Sequence, residues 1–341
     1  MIETAVVLFT RDLRLHDNPA LAAARREADR IVPLFVRDPA IPAPPRRLAL
    51  LERLLLDLPG LTVAHGDPIE EVARHAPDAV YCSEDASPYA RRRERRLGER
   101  FDLRLFPGTT VVGLGDIKTY RVFTPYYRVW LEQPWREPDD ADAPETEARR
   151  ALAAWLDDER ETGSRLSPYL HFGALSPLEC AVRGQHKPEF VRQLCWRDFY
   201  AQLLHARPED FALGADVEPD ERFEAWRAGQ TGVPYVDAGM AQLAAEGWLP
   251  NRVRMVAASY LVHDLGVDWR LGARHFEELL LDGDVASNRG NWLWVVKAKH
   301  RIFNPYLQEK KHDPDGTYVR RWAPTARTGI PETGDPDDSV R

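Results

Sequence analysis

The stretch DGDVASNRGNWLW (residues 282–294) sets two aspartates, an asparagine and two glycines just before two tryptophans two positions apart. Asp282 and Asp284 are suited to accept N–H bonds from a heterocycle or a ribose, and Asn288 can both donate and accept. Gly283 and Gly290 permit a flat ligand to approach the backbone closely. A tryptophan ring must be buried while its N–H still finds a partner, so two beside this much polar chemistry need a reason. On a helix, positions two apart diverge by about 200°. Trp292 and Trp294 are therefore expected to face opposite directions.

Three further stretches carry similar mixtures. In RQLCWRDFY (192–200) a helix places Gln193 and Trp196 on one face at i, i+3, with Tyr200 next along it. In GWLPNRVRMVAASYLVHD (247–264) Trp248, Asn251, Arg252 and Met255 fall in one helical stripe. TGSRLSPYLHFGALSP (162–177) supplies Ser164, Arg165 and Ser167 at a helix start, where hydroxyls, a guanidinium and free N–H groups suit a phosphate. Taken singly, each stretch also fits ordinary packing: a buried tryptophan, a satisfied amide, a Ser-Pro helix start.

The elements that must position these residues fall into two kinds. Short apolar runs at 5–10, 31–36, 61–65, 79–83 and 103–106 are separated by helical patterns such as 46–58 and 87–100. That alternation predicts a doubly wound parallel sheet over residues 1–125. No GxGxxG follows the first strand, so the standard dinucleotide fingerprint is absent. Residues 126–160 read as a linker, with six acids and no base over 137–147. Residues 161–322 read as an all-helical domain, with caps expected at Ser167, Ser176 and Asp237. An acidic flexible tail is expected over 323–341. Eight of the ten tryptophans lie beyond residue 150, so the chemistry is expected there.

Length and composition fit a two-domain globular protein: 341 residues, 44% hydrophobic. The apolar runs are too short to span a membrane, and the N-terminus shows no signal-peptide pattern. Cys82, Cys180 and Cys195 lack metal or disulfide spacing, so a reducing cytoplasm and no metal are expected. The net charge of −8 argues only weakly against nucleic acid, because charge is unevenly spread. Between Arg289 and Lys311 there are six Lys/Arg and one acid. A local basic face binds phosphates whatever the total charge, since fields fade within about 8–10 Å.

Read together, the stretches resemble the photolyase/cryptochrome flavoprotein family. The resemblance runs from VVLFTRDLRLHDNPAL (6–21) to RIFNPYLQEKKHDPDGTYVRRW (301–322). SRLSPYLHFGALSP, WRDFY, TGVPYVDAGM, GWLPNRVRM and DGDVASN occur in family order, and five such motifs in order are highly specific. Within the family the pattern is most like compact members that repair cyclobutane pyrimidine dimers. It implies an antenna-type α/β domain and a helical domain holding one non-covalent FAD, bent so that its adenine folds beneath the isoalloxazine.

The resemblance also implies roles. Ser164, Arg165, Leu166 and Ser167 match the diphosphate run, and Arg197 joins the cofactor set. Asp282 and Asp284 match the residues holding the flavin ring and adenosine side, with Arg254 as the partner of Asp282 and Asn288 facing flavin N5. Trp196 and Trp294 match the walls that sandwich a flipped-out dimer, with Gln193, Asn251 and Met255 beside it. Trp292 and Trp269 match two steps of the tryptophan wire that reduces the flavin. Arg252, Arg301, Lys297 and Lys299 are the expected DNA-phosphate contacts. A dimer inside a duplex cannot reach a buried flavin and must be swung out, as photolyases and other base-flipping enzymes do, at a cost of a few kcal/mol. Stacking on aromatic walls returns about 1–3 kcal/mol per base.

Departures from the family pattern sharpen these expectations. Gln193 stands where dimer-repairing members usually have glutamate. The segment after WLW, VVKAKHRIFNP, is short and lacks the customary Gly/Thr/Asp-containing loop. The outermost tryptophan of the wire has no match near Asp216. The α/β domain is compact, the linker lacks the usual extension before SRLSP, and no antenna chromophore is assigned. A (6-4) photolyase is the first alternative, but its paired histidines are absent where Asn251 and Met255 stand. A cryptochrome-type photoreceptor without repair is the second, and its long C-terminal extension is missing, only 19 residues following Trp322. The expected protein acts as a monomer on lesion-bearing DNA, away from membranes.

Overall fold

The computed structural model describes residues 2–41, 43–139, 144–158, 163–298 and 302–323. The chain divides into two compact units, residues 1–212 with 281–290, and residues 213–280 with 291–341.

The first unit opens with β1 (Ile2–Phe9), α1 (Pro19–Glu27), β2 (Ala28–Arg37), α2 (Pro45–Leu56) and β3 (Thr62–His65). It continues through α3 (Pro68–Ala73), β4 (Ala79–Ser83), α4 (Pro88–Gly98) and β5 (Asp102–Phe106). The five strands are parallel in the order β3-β2-β1-β4-β5, with Val6 paired to both Val32 and Val80. Val6, Val7, Ala79, Val80, Tyr81 and Cys82 are fully buried, because helices cover both faces of a parallel sheet. The strand order reverses between β1 and β4. The carboxyl ends of these two strands therefore border the switch point at which doubly wound sheets bind ligands.

Helix starts in this protein have a repeated chemical signature. Asn18, Asp67, Ser87, Ser176 and Asn304 each precede a proline and accept a backbone N–H from the first turn. The proline ring presets φ and lacks the N–H that would otherwise be orphaned there.

Helices α5 (Phe123–Leu131), α6 (Glu147–Asp157), α7 (Ser167–Phe172), α8 (Pro177–Arg183) and α9 (Pro188–Ala206) complete the first unit's run to residue 212. Two expected caps are corrected. Ser167 is the first residue of α7, and Leu166 stands at the cap position without a side-chain bond. Asp237 lies inside its helix, where it accepts from Thr231 N, Thr231 Oγ1 and Gly232 N and so ties down the preceding loop.

The second unit contains α10 (Glu221–Arg227), α11 (Pro234–Glu246), α12 (Asn251–Ser259), a π turn (Tyr260–Asp264) and α13 (Trp269–Leu279). The boundary between units falls within α14 (Val285–Lys297), and α15 (Pro305–His312) and α16 (Thr317–Trp322) follow. Its core is built on Trp226, Leu243, Val256, Leu261, Phe276 and Trp292. Among the described residues no helix is long and apolar enough to cross a membrane.

Candidate functional site

The turn before α14 is a heavily constrained polar segment of the first unit. Asp284 is buried, and one of its oxygens accepts from Ser287 N at 2.7 Å, as an N-cap does. The other receives Arg11 Nη2 at 2.5 Å. Arg11 comes from the carboxyl end of β1. Its Nη1 donates to Asp85 at 3.1 Å and its Nε to the His171 carbonyl at 3.0 Å. Burial works against each charge, but the opposing charges outweigh it. The guanidinium pKa is raised by Asp284 and Asp85, and the Asp284 carboxyl is held far below the usual range by Arg11 and Arg197. His171 is driven the other way, to about 3, by burial and by the nearby arginines. It is neutral at physiological pH, and its buried Nδ1 has no partner among the described residues.

Arg197 lies close to this cluster and is half-buried, its guanidinium donating to the carbonyls of Thr109 and Leu170. Ser164 Oγ accepts from Leu166 N at 3.3 Å, and Arg165 holds φ at +53°, an uncommon conformation for a residue with a Cβ. This kinked turn leads directly into α7. Asn288 is buried one turn into α14, its N–H bonded to Asp284 O at 2.8 Å. A Cβ at Gly290 would overlap the Tyr200 ring, so α14 approaches α9 closely only because of that glycine.

On α9, Gln193 is exposed and Trp196 is half-buried. Phe123 of α5 lies flat on the Trp196 indole, with centroids 3.6 Å apart and planes 4° apart. Tyr200 packs on Trp196 at 5.4 Å and a 31° tilt. The Arg192 guanidinium lies 5.7 Å from the Phe123 centroid. One face of the indole is thus backed by an aromatic ring.

In the second unit, Trp292 is 2% exposed, edge-to-face with Phe276 at 5.3 Å and with Trp226 at 6.2 Å. Trp294 is half-buried and tilts on Phe303 at 6.2 Å. The two tryptophans have different neighbours, as their spacing predicts. Trp269 opens α13 and packs partly buried against the same core. Asn251 and Arg252 are exposed at the start of α12, and Met255 is half-buried one turn later. Trp248 precedes that helix and is not part of its stripe. The Arg252 guanidinium lies 5.5 Å from the Phe303 centroid, so Phe303 links Arg252 to Trp294. Arg254 Nε donates to Leu249 O at 3.0 Å. Arg254 and Asp282 fall in different units. Lys297 is exposed at the end of α14, and Lys299 and Arg301 lie outside the described residues.

A paired carboxylate in a glycine-flanked turn, a kinked seryl turn entering a helix, and a tryptophan beside an exposed amide suit a nucleotide-like cofactor and a stacked base. Comparison with known proteins is decisive on the family. The family model described as DNA photolyase matches residues 5–146, and that described as the FAD binding domain of DNA photolyase matches residues 190–333. The chain belongs to the DNA photolyase family. It is 39% identical to a deoxyribodipyrimidine photo-lyase of Streptomyces griseus, over 95% of this chain and 90% of that protein. A Thermus thermophilus protein of the same name is 35% identical, over 92% and 90%. The structure is similar to that of an archaeal photolyase from Sulfolobus tokodaii containing two FAD molecules, with a TM-score of 0.85, 30% identity and 94% and 90% coverage. A Synechocystis cryptochrome is similar at a TM-score of 0.83 and 25% identity, over 94% and 89%. The Streptomyces alignment extends over 411 positions, more than this photolyase has residues. The relative therefore carries insertions where this chain is short.

FAD is the cofactor of the matched domain, and the first unit fits it. Asp284 is ionised and fixed through both oxygens, the His171 Nδ1 is a buried polar atom with no partner among the described residues, and Gly290 holds α14 tight on Tyr200. Four residues drawn in by the geometry carry no role from the sequence: Arg11, His171, Phe123 and Phe303. Arg11 and His171 lie inside recognised motifs. Phe303 lies in the quoted stretch 301–322 but has no role assigned there, and Phe123 gives no signal beyond being aromatic.

Proposed function

We propose that this photolyase repairs cyclobutane pyrimidine dimers in DNA, driven by light. What carries the reading is the 39% identity to a deoxyribodipyrimidine photo-lyase across nearly all of both chains. Reduced FAD, when bound, supplies the electron that light delivers to the dimer. The chain's own residues do the rest. Ser164, Arg165, Leu166 and Ser167 would bind the diphosphate, and the half-buried Arg197 would add positive charge to the cofactor site. Asp282, Asp284, Asn288 and Arg254 would hold the flavin ring and the adenosine side.

Trp196, backed by Phe123, and Trp294, backed by Phe303, each offer an aromatic face on which an extruded base stacks. Gln193, Asn251 and Met255 are the further residues assigned to contact the dimer. The Gln193 amide presents a donor and an acceptor to the paired positions of a pyrimidine, without a proton to give. Arg252, Lys297, Lys299 and Arg301 neutralise flanking phosphates. Trp292 and Trp269 would relay electrons through the second unit when the cofactor is bound. The protein works as a monomer in the cytoplasm. The test is an oligonucleotide with one defined lesion, blue light, a chemical reductant and the purified protein. Loss of the cyclobutane dimer supports the reading, and a colourless protein that cannot be loaded with FAD refutes it.

A further inference from the structure

We infer that Arg11 is a positioning residue for the FAD pocket, and that the loop after β1 is part of that pocket; the inference rests on the reading of Asp284 as a cofactor ligand. The matched FAD-binding domain begins at residue 190, so nothing assigns this role to a residue of the sheet. The geometry does.

Arg11 leaves β1 beside β4, where the strand order reverses. From there one guanidinium engages three segments: Asp85 after β4 at 3.1 Å, the carbonyl of His171 in α7 at 3.0 Å, and Asp284 at 2.5 Å. A planar fork with fixed donor directions is suited to such a junction, because each bond it makes constrains the other two. Asp284 then has no freedom left. Ser287 N holds one oxygen and Arg11 the other, and its side chain is only 11% exposed. A carboxylate held this way presents a fixed acceptor edge and cannot turn toward water.

A second observation points to a ligand at the same place. The His171 ring interacts electrostatically with Arg11, Asp284 and Asp282, yet its buried Nδ1 is unpartnered among the described residues. Buried polar atoms are rarely left so unless a group from outside the chain completes them. Arg11 anchors the His171 backbone and so sets where that nitrogen points. One side chain thereby aligns the carboxylate and the imidazole.

The alternative is that Arg11 merely staples loops together. Full-length Arg11→Lys, Arg11→Met and Asp85→Asn variants separate the two roles by FAD dissociation constant, visible absorption of bound flavin, and thermal stability of the FAD-free protein. If Arg11 positions the site, Arg11→Met weakens FAD binding about tenfold or more, as losing a charge-assisted bond does. It also shifts the flavin's absorption fine structure. Arg11→Lys restores most of the affinity, and Asp85→Asn, which leaves the Asp284 pair intact, keeps the parental absorption. An Arg11→Met protein that is less stable but binds FAD with parental affinity and spectrum overturns the proposal. If Arg11→Met does not fold, Arg11→Gln decides: parental stability with weakened affinity and an altered spectrum supports positioning, and parental affinity and spectrum refute it. Failure of the parent itself to bind FAD removes the functional reading instead, and the role of Arg11 with it.

Discussion

The turn at Asp284 and the cluster around Trp292 hold their residues in opposite ways. The first is a knot of charges in which Arg11 spans two carboxylates and Asp284 is bound through both oxygens. The second is held by shape. Trp292 meets Trp226 and Phe276 edge-on, and the buried polar atom of Trp226 is satisfied by Ala257 O at 3.0 Å. His275, beside Trp226, is kept neutral by burial, its pKa lowered to about 4. A charged anchor must be complete to be stable, whereas an aromatic one must only be filled. The polar region should therefore respond to lost charge, and the aromatic region to changed volume.

The largest expected effect on FAD retention is at the charged anchor. Asp284→Asn leaves the half-buried Arg11 with one carboxylate; breaking a fully buried pair costs about 3–5 kcal/mol, and this partly screened one about half that. Unfolding followed by flavin absorbance should show FAD released well before the parental transition. Parental stability in this variant would mean that Arg11 and Asp284 gain little from each other.

Two buried carboxylates of the first unit provide a pH test. Burial raises Asp198 to about 6, against hydrogen bonds from Trp130, Val112 and Val111. A carboxyl raised above its unfolded value binds more protons folded than unfolded. Its contribution therefore falls as pH rises from about 4 to about 6, by about 2–3 kcal/mol. Glu179 is the reverse. Burial raises it, but His16, Arg183 and Arg149 lower it to about 2, so its contribution is lost as pH falls below about 4. Denaturant titrations from pH 3 to 7 should show the Asp198 slope vanish in Asp198→Asn. If the slope persists, another group carries it.

The aromatic cluster should feel volume. A Cβ at Gly272 would run into the Trp292 ring and Leu261, so Gly272→Ala should cost about 1–3 kcal/mol despite the better helix former. Trp292→Phe should slow light-driven reduction of the flavin while sparing repair by chemically reduced protein. Parental photoreduction in that variant would move the electron path elsewhere. Trp226, in edge contact with Trp292, would then be the first residue to substitute. The smallest effect is expected at Gln193, which is exposed. Gln193→Glu should change stability by less than about 0.5 kcal/mol, measured by denaturant midpoint.

The alternating strands and helices of the first third were legible because each strand is a short apolar run between turn residues. All five fall on observed strands. The helical region was harder to divide. In α14, buried positions recur at Ala286, Asn288, Gly290, Trp292 and Val295, all round the helix, so no single stripe marks a face. The same helix contributes residues to both units, which explains why no single periodicity describes it. Asp237 looked like a cap and instead reaches back to Thr231 and Gly232 from inside its helix. Arg11 was invisible as a site residue for a simpler reason. Its contacts are long-range, 160 residues along the chain in the case of His171, and no local pattern encodes such a partner.

The most direct test of the account is the repair quantum yield of the wild type and of Gln193→Glu on oligonucleotides carrying either a cyclobutane dimer or a (6-4) lesion. If an amide serves the dimer by hydrogen bonding, wild type repairs cyclobutane dimers, Gln193→Glu changes that yield only modestly, and neither repairs (6-4) lesions. Repair of (6-4) lesions alone, or cyclobutane repair that appears only when Gln193 becomes glutamate, would contradict it.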